Sequence, residues 1–180
     1  MAKRKGRNME PSYRAEADGV KHGLPPVARP DARLLVLGSL PGERSLRQAR
    51  YYAHPQNHFW RLLGEVLGTH LAEQPYEARL ALLMERGVAL WDVIGRARRQ
   101  GSLDAELRDV EARDLLGFTA ALPELRAVAL NGAAAAGIGR RALGETSLEM
   151  LDLPSSSPAY TLPFAAKAER WSVLKPLLVD

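Results

Sequence analysis

Three short apolar runs, Leu34 to Leu37, Val88 to Trp91 and Ala127 to Leu130, each end on a glycine, an acid or an amide, and helical-period segments separate them. Four or five apolar residues without polar alternation suit a strand buried on both faces. Strands buried in this way are parallel, and parallel neighbours need a crossover, which is normally a helix. Leu148 to Leu153 supplies a fourth strand signal. The pattern therefore predicts an α/β fold: a four-stranded parallel sheet with helices on both faces. Open sheets of this kind bind ligands outside the carboxyl ends of their strands.

The helices are read from spacing. Phe59, Leu62, Leu63, Val66 and Leu67 predict a helix over 57–67 closed by Gly68, and Pro75 opens another whose Tyr76, Leu80, Leu83 and Met84 share a side. Leu103 to Leu107 predicts a short helical turn and Asp114 to Leu122 a longer helix. Ala133 to Leu143 follows as a helix, weakened by Gly137 and Gly139 at about 1 kcal/mol each. Phe164, Ala168, Trp171 and Leu174 mark a final helix that Pro163 starts and Pro176 ends.

At 180 residues, with 46% hydrophobic and 26% charged residues, the chain fits one domain with a real core. No run approaches the roughly 18 apolar residues of a membrane span, and the N-terminus lacks the apolar segment of a secretory signal. A cytoplasmic protein is expected, nucleoid-associated in a bacterial host. Cysteine is absent, which excludes disulfides, thiolate nucleophiles and cysteine-held metals. His54 and His58 are four apart, but Pro55 lies between them and no third ligand is evident, so no metal and no cofactor is expected. Residues 1–33 hold eight basic and four acidic residues, and the remaining 17 of each sign cancel, so the whole net charge of +4 lies there. We expect residues 1–32 to be a basic, flexible leader and 33–180 to be the domain. The leader suits either a phosphate-neutralising arm or a solvated tail.

The chemistry is expected in Gly38 to Trp60, the loop after the first strand, which holds two of the four histidines and two of the five tyrosines. Asp92 and the loop from Leu153 to Tyr160 lie at other strand ends. The glycines of this loop fit neither a Walker loop nor a dinucleotide fingerprint. Tyr51 and Tyr52 could stack a base or cover the sheet. Asn57 could orient a water, read a base edge or cap a helix. Ser155, Ser156 and Ser157 could bond phosphate or shape a turn. A Ser156, His54 and Asp92 triad has no G-x-S-x-G elbow to support it.

GSLPG after a strand, YYAHPQNHFW, GVALWDVIGRARRQGSL, VALNG, and LPSSSPAY before a Trp-bearing helix occur in this order. Together, over about residues 33–175, they resemble the uracil-DNA glycosylase superfamily, most closely its hypoxanthine-DNA (deoxyinosine) branch, with mismatch-specific uracil/thymine glycosylases as relatives. The resemblance implies a three-layer α/β/α domain that removes a deaminated base from double-stranded DNA by hydrolysing the N-glycosidic bond, acting as a monomer. Leu40 stands where uracil-cleaving relatives place a water-positioning Asp or Asn, and Leu153 where they place a His or Asn. Asn57 is then the first candidate for positioning water, with the backbone amides of Ser39 and Leu40 as further donors. Tyr52 aligns with the aromatic that stacks the flipped base, and Asp92, with His54 beside it, falls where relatives read the base. Ser155 to Ser157 should pinch the phosphates, and Pro158 to Tyr160 should enter the gap left by the base. Lys3, Lys5, Lys21, Lys167 and Lys175 lie away from these strand ends, so a glycosylase without Schiff-base lyase activity is expected. Alternatives are a uracil/thymine mismatch enzyme and a lesion-binding module that has lost catalysis.

Overall fold

The computed structural model describes residues 19–178. Its centre is a parallel sheet of β2 (Leu34–Gly38), β3 (Val88–Asp92), β6 (Ala127–Asn131) and β7 (Glu149–Leu153) in the order β3-β2-β6-β7. Every residue of β2, β3 and β6 is buried, as their unbroken apolar runs require. β7 is half-exposed, as suits an edge strand that carries Glu149 and Asp152. The register pairs Leu34 with Val88 on one side and Ala127 on the other, and it brings Gly38 level with Asp92 and Asn131 level with Leu153. Four strand ends therefore open on one edge.

Helices cover both faces: α2 (Phe59–Leu67), α3 (Tyr76–Glu85), α4 (Leu115–Ala120), α5 (Ala133–Leu143) and α6 (Phe164–Trp171). α2 starts two residues later than its spacing predicts, because Asn57 Oδ1 accepts from Phe59 N at 2.9 Å and holds Asn57 outside the helix. Phe59 anchors this layer, meeting Trp60 and Trp171 edge-to-face at 5.0 and 5.8 Å. α6 ends at Trp171, and Pro176 instead sits inside a following 3-10 turn, Ser172–Leu177.

A second sheet and one short helix go beyond the expected elements. β1 (Val20–His22), β4 (Ile94–Arg98) and β5 (Arg108–Ala112) form an antiparallel sheet in the order β1-β4-β5, and α1 (Glu43–Gln48) lies within the loop after β2. The leader expected over residues 1–32 is thereby corrected for 19–32, which belong to the domain; residues 1–18 lie outside the described range. Val27 and Leu90 exchange 2.8 Å backbone bonds along the edge of β3, and Leu24 O accepts from Trp91 Nε1 at 3.1 Å and Arg113 Nη2 at 3.0 Å. Pro25, Pro26 and Pro30 abolish periodicity here, but the carbonyls serve as buried acceptors. The segment covers an edge that would otherwise be unpaired.

Candidate functional site

The strand ends enclose a cavity of about 150 Å³ lined by Gly38 to Gly42, Tyr52, Asn57, Asp92, Asp104, Asn131 and Ser155 to Pro158, among others. An engineered cavity of about this size holds an aromatic ring, so the space is on the scale of a flat ring system. At Gly38 a Cβ would stand 2.8 Å from Tyr52 Oη and 3.0 Å from Asp92 Oδ1. Only glycine lets both groups reach the end of β2.

Tyr51 and Tyr52 divide the two roles their sequence left open. Tyr51 is buried and donates through Oη to Pro25 O at 2.8 Å, so it belongs to the core. Tyr52 takes the left-handed conformation at φ 50° and stacks on Phe59 at 3.8 Å and 9°. Tyr52 also lines the cavity. Its Oη accepts from Asn131 Nδ2 at 3.1 Å.

Asn131, at the end of β6, ties the site together. Its Nδ2 also donates to Ser156 Oγ at 2.9 Å, and its Oδ1 accepts from Ser156 N at 2.9 Å. Ser156 O in turn accepts from His58 N at 3.0 Å, and Trp171 Nε1 donates to Pro154 O at 3.0 Å. The serine loop is therefore clamped to β6, α2 and α6. The expectation that all three serines reach phosphate is corrected for Ser156: it is 1% exposed and its hydroxyl is taken by Asn131. Ser155 Oγ accepts from Ser157 N at 3.1 Å and Ser157 Oγ from Ala159 N at 3.2 Å, which leaves these half-buried hydroxyls free to donate outward. Pro158 and Tyr160 are exposed, and Tyr160 lies outside the cavity lining.

The lysine reading is corrected as well. Lys167 is buried, and its Nζ donates to Ser157 O at 3.1 Å, beside a strand-end loop; burial pushes its pKa down. Its spacing within α6 gave no sign of this, because the loop folds back over the helix. Lys167 supports the loop from beneath and does not line the cavity.

Two carboxyl groups do line it. Asp92 is 2% exposed, and its Oδ2 has no hydrogen-bond partner among the described residues. Burial pushes its pKa up to about 8, against the opposing pull of Arg113, Tyr51 and Arg99. Asp92 is thus largely a neutral acid at pH 7, able to donate as well as accept. Asp104 lies in the 3-10 turn Asp104–Glu106 between β4 and β5 and accepts from Ser39 Oγ at 2.7 Å. Its side chain is 45% exposed, so the partial desolvation that raises its pKa is weakened by solvent, and Ser39 and Arg99 pull it down.

Arg99 explains how that turn is held. Its side chain is buried, with Nη1 donating to Leu40 O at 3.2 Å, Nη2 donating to Pro41 O, and Nη1 lying 3.8 Å from Asp104 Oδ1. The Gly38 to Gly42 turn and the connection after β4 are thereby one unit. Leu40 and Leu153 are buried apolar residues, and Leu40 lines the cavity while Leu153 does not. His54 is exposed at the mouth, with Nδ1 accepting from Gln56 N at 3.1 Å. Asn131, Arg99 and Asp104 were missed as site residues. For Asn131 the signal was present, an amide closing a buried strand as Asp92 does. Asp104 carried none, being 65 residues from Ser39 in sequence.

The family model for the uracil DNA glycosylase superfamily matches residues 25–176. A hypoxanthine DNA glycosylase of Methanosarcina acetivorans is 39% identical over 140 residues, covering 78% of this chain and 88% of the relative. A hypoxanthine DNA glycosylase of Methanosarcina barkeri is 40% identical over 112 residues, 62% of this chain and 71% of the relative. The solution NMR structure of a candidate uracil DNA glycosylase from Methanosarcina acetivorans superposes with a TM-score of 0.78 at 35% identity, covering 88% of this chain and 98% of that one. With a match across nearly the whole described domain and the same fold, the chain belongs to the uracil DNA glycosylase superfamily.

Proposed function

We propose that the protein is a DNA glycosylase that flips hypoxanthine out of double-stranded DNA and hydrolyses its N-glycosidic bond, leaving an abasic site. The observation that carries this reading is the buried Asp92 on the cavity wall, with one oxygen unpartnered, in a chain 39% identical to a hypoxanthine DNA glycosylase. A neutral carboxylic acid offers a donor and an acceptor side by side. Hypoxanthine presents the matching pair, N1–H and O6, on one edge. As the glycosidic bond breaks, charge builds on the purine, and a donor at O6 stabilises it.

Tyr52 stacks the extruded base on the face that Phe59 leaves open, offsetting part of the few kcal/mol that flipping costs. Asn57, half-buried in the cavity lining, has its Oδ1 engaged at Phe59 N and presents its amide to the attacking water. The backbone amides of Ser39 and Leu40 are further donors toward the developing charge. Ser155, Ser157 and Pro158 meet the DNA backbone at the mouth, and Tyr160, 49% exposed beyond them, fills the vacated stack. Among the described residues the cavity lining contains no lysine, which supports a hydrolase without lyase chemistry.

The test is single-turnover base release from duplexes carrying deoxyinosine, uracil opposite guanine, xanthine or ethenoadenine. Hypoxanthine should be released fastest, leaving an alkali-labile site and no borohydride-trapped adduct. Preference for uracil opposite guanine would replace this reading with a mismatch enzyme. Binding without release of any base would leave a lesion-binding module.

A further inference from the structure

Hydrolysis needs an acceptor for the proton of the attacking water, and the residue at the usual place, Leu40, is apolar. The remaining titratable side chains of the cavity narrow the choice. Asp92 is buried at the end of β3 with the base-recognition role, and Arg44 carries no basic lone pair. His54 is exposed at the mouth, and its Nδ1 is engaged by Gln56 N at 3.1 Å. The tyrosines are held neutral by burial. Asn57 is an amide and has no basicity.

Asp104 remains, and its surroundings suit the task. Ser39 Oγ, adjacent in sequence to Leu40, donates to Asp104 Oδ1 at 2.7 Å, and the buried Arg99 approaches the same oxygen at 3.8 Å. Oδ2 accepts no hydrogen bond among the described residues and belongs to a side chain on the cavity wall. Arg99 also donates to the carbonyls of Leu40 and Pro41, so the turn that lost its polar side chain and the turn that carries the carboxylate are fixed to each other. We propose that Asp104 is the catalytic base of this glycosylase, orienting the attacking water and taking its proton from the connection after β4, where Leu40 after β2 cannot.

This rests on the glycosylase reading above. In the step, the water oxygen bonds to C1′ and the C1′–N9 electron pair leaves with the purine. The water proton passes to the Asp104 carboxylate, and the purine takes the proton held by Asp92. Both acids then return to their starting states by exchange with solvent. The arrangement is a division between an acid and a base by environment, as glycoside hydrolases use. Arg99 is the charged group that acts on Asp104 and favours its ionised form, while Asp104 in turn raises the pKa of Asp92.

The experiment is single-turnover hypoxanthine release by the full chain from pH 5 to 9, with wild type, Asp104→Asn and Asp104→Glu. Asn keeps an Oδ1 that accepts from Ser39, so folding is preserved and circular dichroism and the unfolding midpoint should match wild type. Loss of a general base removes about 10²–10⁴ in rate, so Asp104→Asn should release hypoxanthine at least about 100-fold more slowly and lose the acid limb of the profile. Binding to a duplex with uncleavable 2′-fluorodeoxyinosine should be unchanged, and Asp104→Glu should recover part of the rate with an acid limb. An Asp104→Asn variant with wild-type rate, or a slowed one that keeps its acid limb, overturns the proposal while leaving the glycosylase reading intact. Wild type that releases no hypoxanthine overturns both.

Discussion

A carboxyl group buried at the end of a parallel strand without a partner for one oxygen is expensive, and Asp92 bears that cost by staying protonated. The sign of its effect on stability follows. Its pKa rises from an ordinary carboxylate value when unfolded to about 8 when folded, so its contribution is fully present below about pH 4 and is lost as pH rises through about 8. Asp92→Asn, neutral at every pH and nearly the same shape, should remove that slope and be more stable than wild type at pH 8. Thermal unfolding at pH 5 and pH 8 reads this directly, at about 2–4 °C for each kcal/mol recovered in a chain of this size. The same variant should release hypoxanthine more slowly and without the alkaline limb, because an amide cannot give up a proton, while keeping its preference for the N1–H edge, because its oxygen and NH2 present the same acceptor and donor. A variant with a wild-type pH slope in stability would mean that the carboxyl is ionised in the folded protein.

Among the elements, β6 does more than complete the sheet, because its last residue holds both the stacking ring and the serine loop. Asn131→Ala would remove two donated bonds and one accepted bond, leaving Ser156 N and Oγ unpaired in a buried place. At about 1–3 kcal/mol for each orphaned group, unfolding should fall by several degrees, and hydrogen exchange at residues 155–157 should rise far more than at β2. Equal protection in that loop would show that Trp171, Lys167 and His58 suffice to hold it. The parallel strands, their helices and the position of the cavity were legible because buried apolar runs and 3.6-residue spacing are written directly in side-chain type. β1, β4 and β5 were not: Lys21, Arg96, Arg98, Asp109 and Glu111 make them polar, and such strands owe their pairing to partners distant in sequence. Asp104 and Arg99 were hidden for the same reason, since their place at the cavity depends on β4 turning away from β3.

For the molecule as a whole, charge is divided between the catalytic domain and the first residues of the chain. Residues 19–180 carry 20 basic against 18 acidic groups, so the domain draws a polyanion mainly through local arrangement at the mouth, where Arg44 lines the cavity. Residues 1–18 hold Lys3, Lys5, Arg4, Arg7 and Arg14 against Glu10, Glu16 and Asp18. If those bases meet DNA, each neutralised phosphate adds about 0.9 to the slope of log affinity against log salt. Removing residues 1–18 from the chain should then lower the slope by up to about four and weaken binding at low salt most. The single-turnover rate at saturating enzyme should stay unchanged, because the cavity lining begins at Gly38. Extending the deletion through His22 removes β1 with its buried Val20 and Lys21 and leaves the edge of β4 unpaired, so it should also lower the unfolding midpoint. Fluorescence anisotropy on an inosine duplex between about 50 and 200 mM salt, with both truncations beside the full chain, separates the two effects. An unchanged slope in the shorter truncation would assign DNA binding to the mouth of the cavity alone, and Arg44→Ala would then be the variant that flattens it.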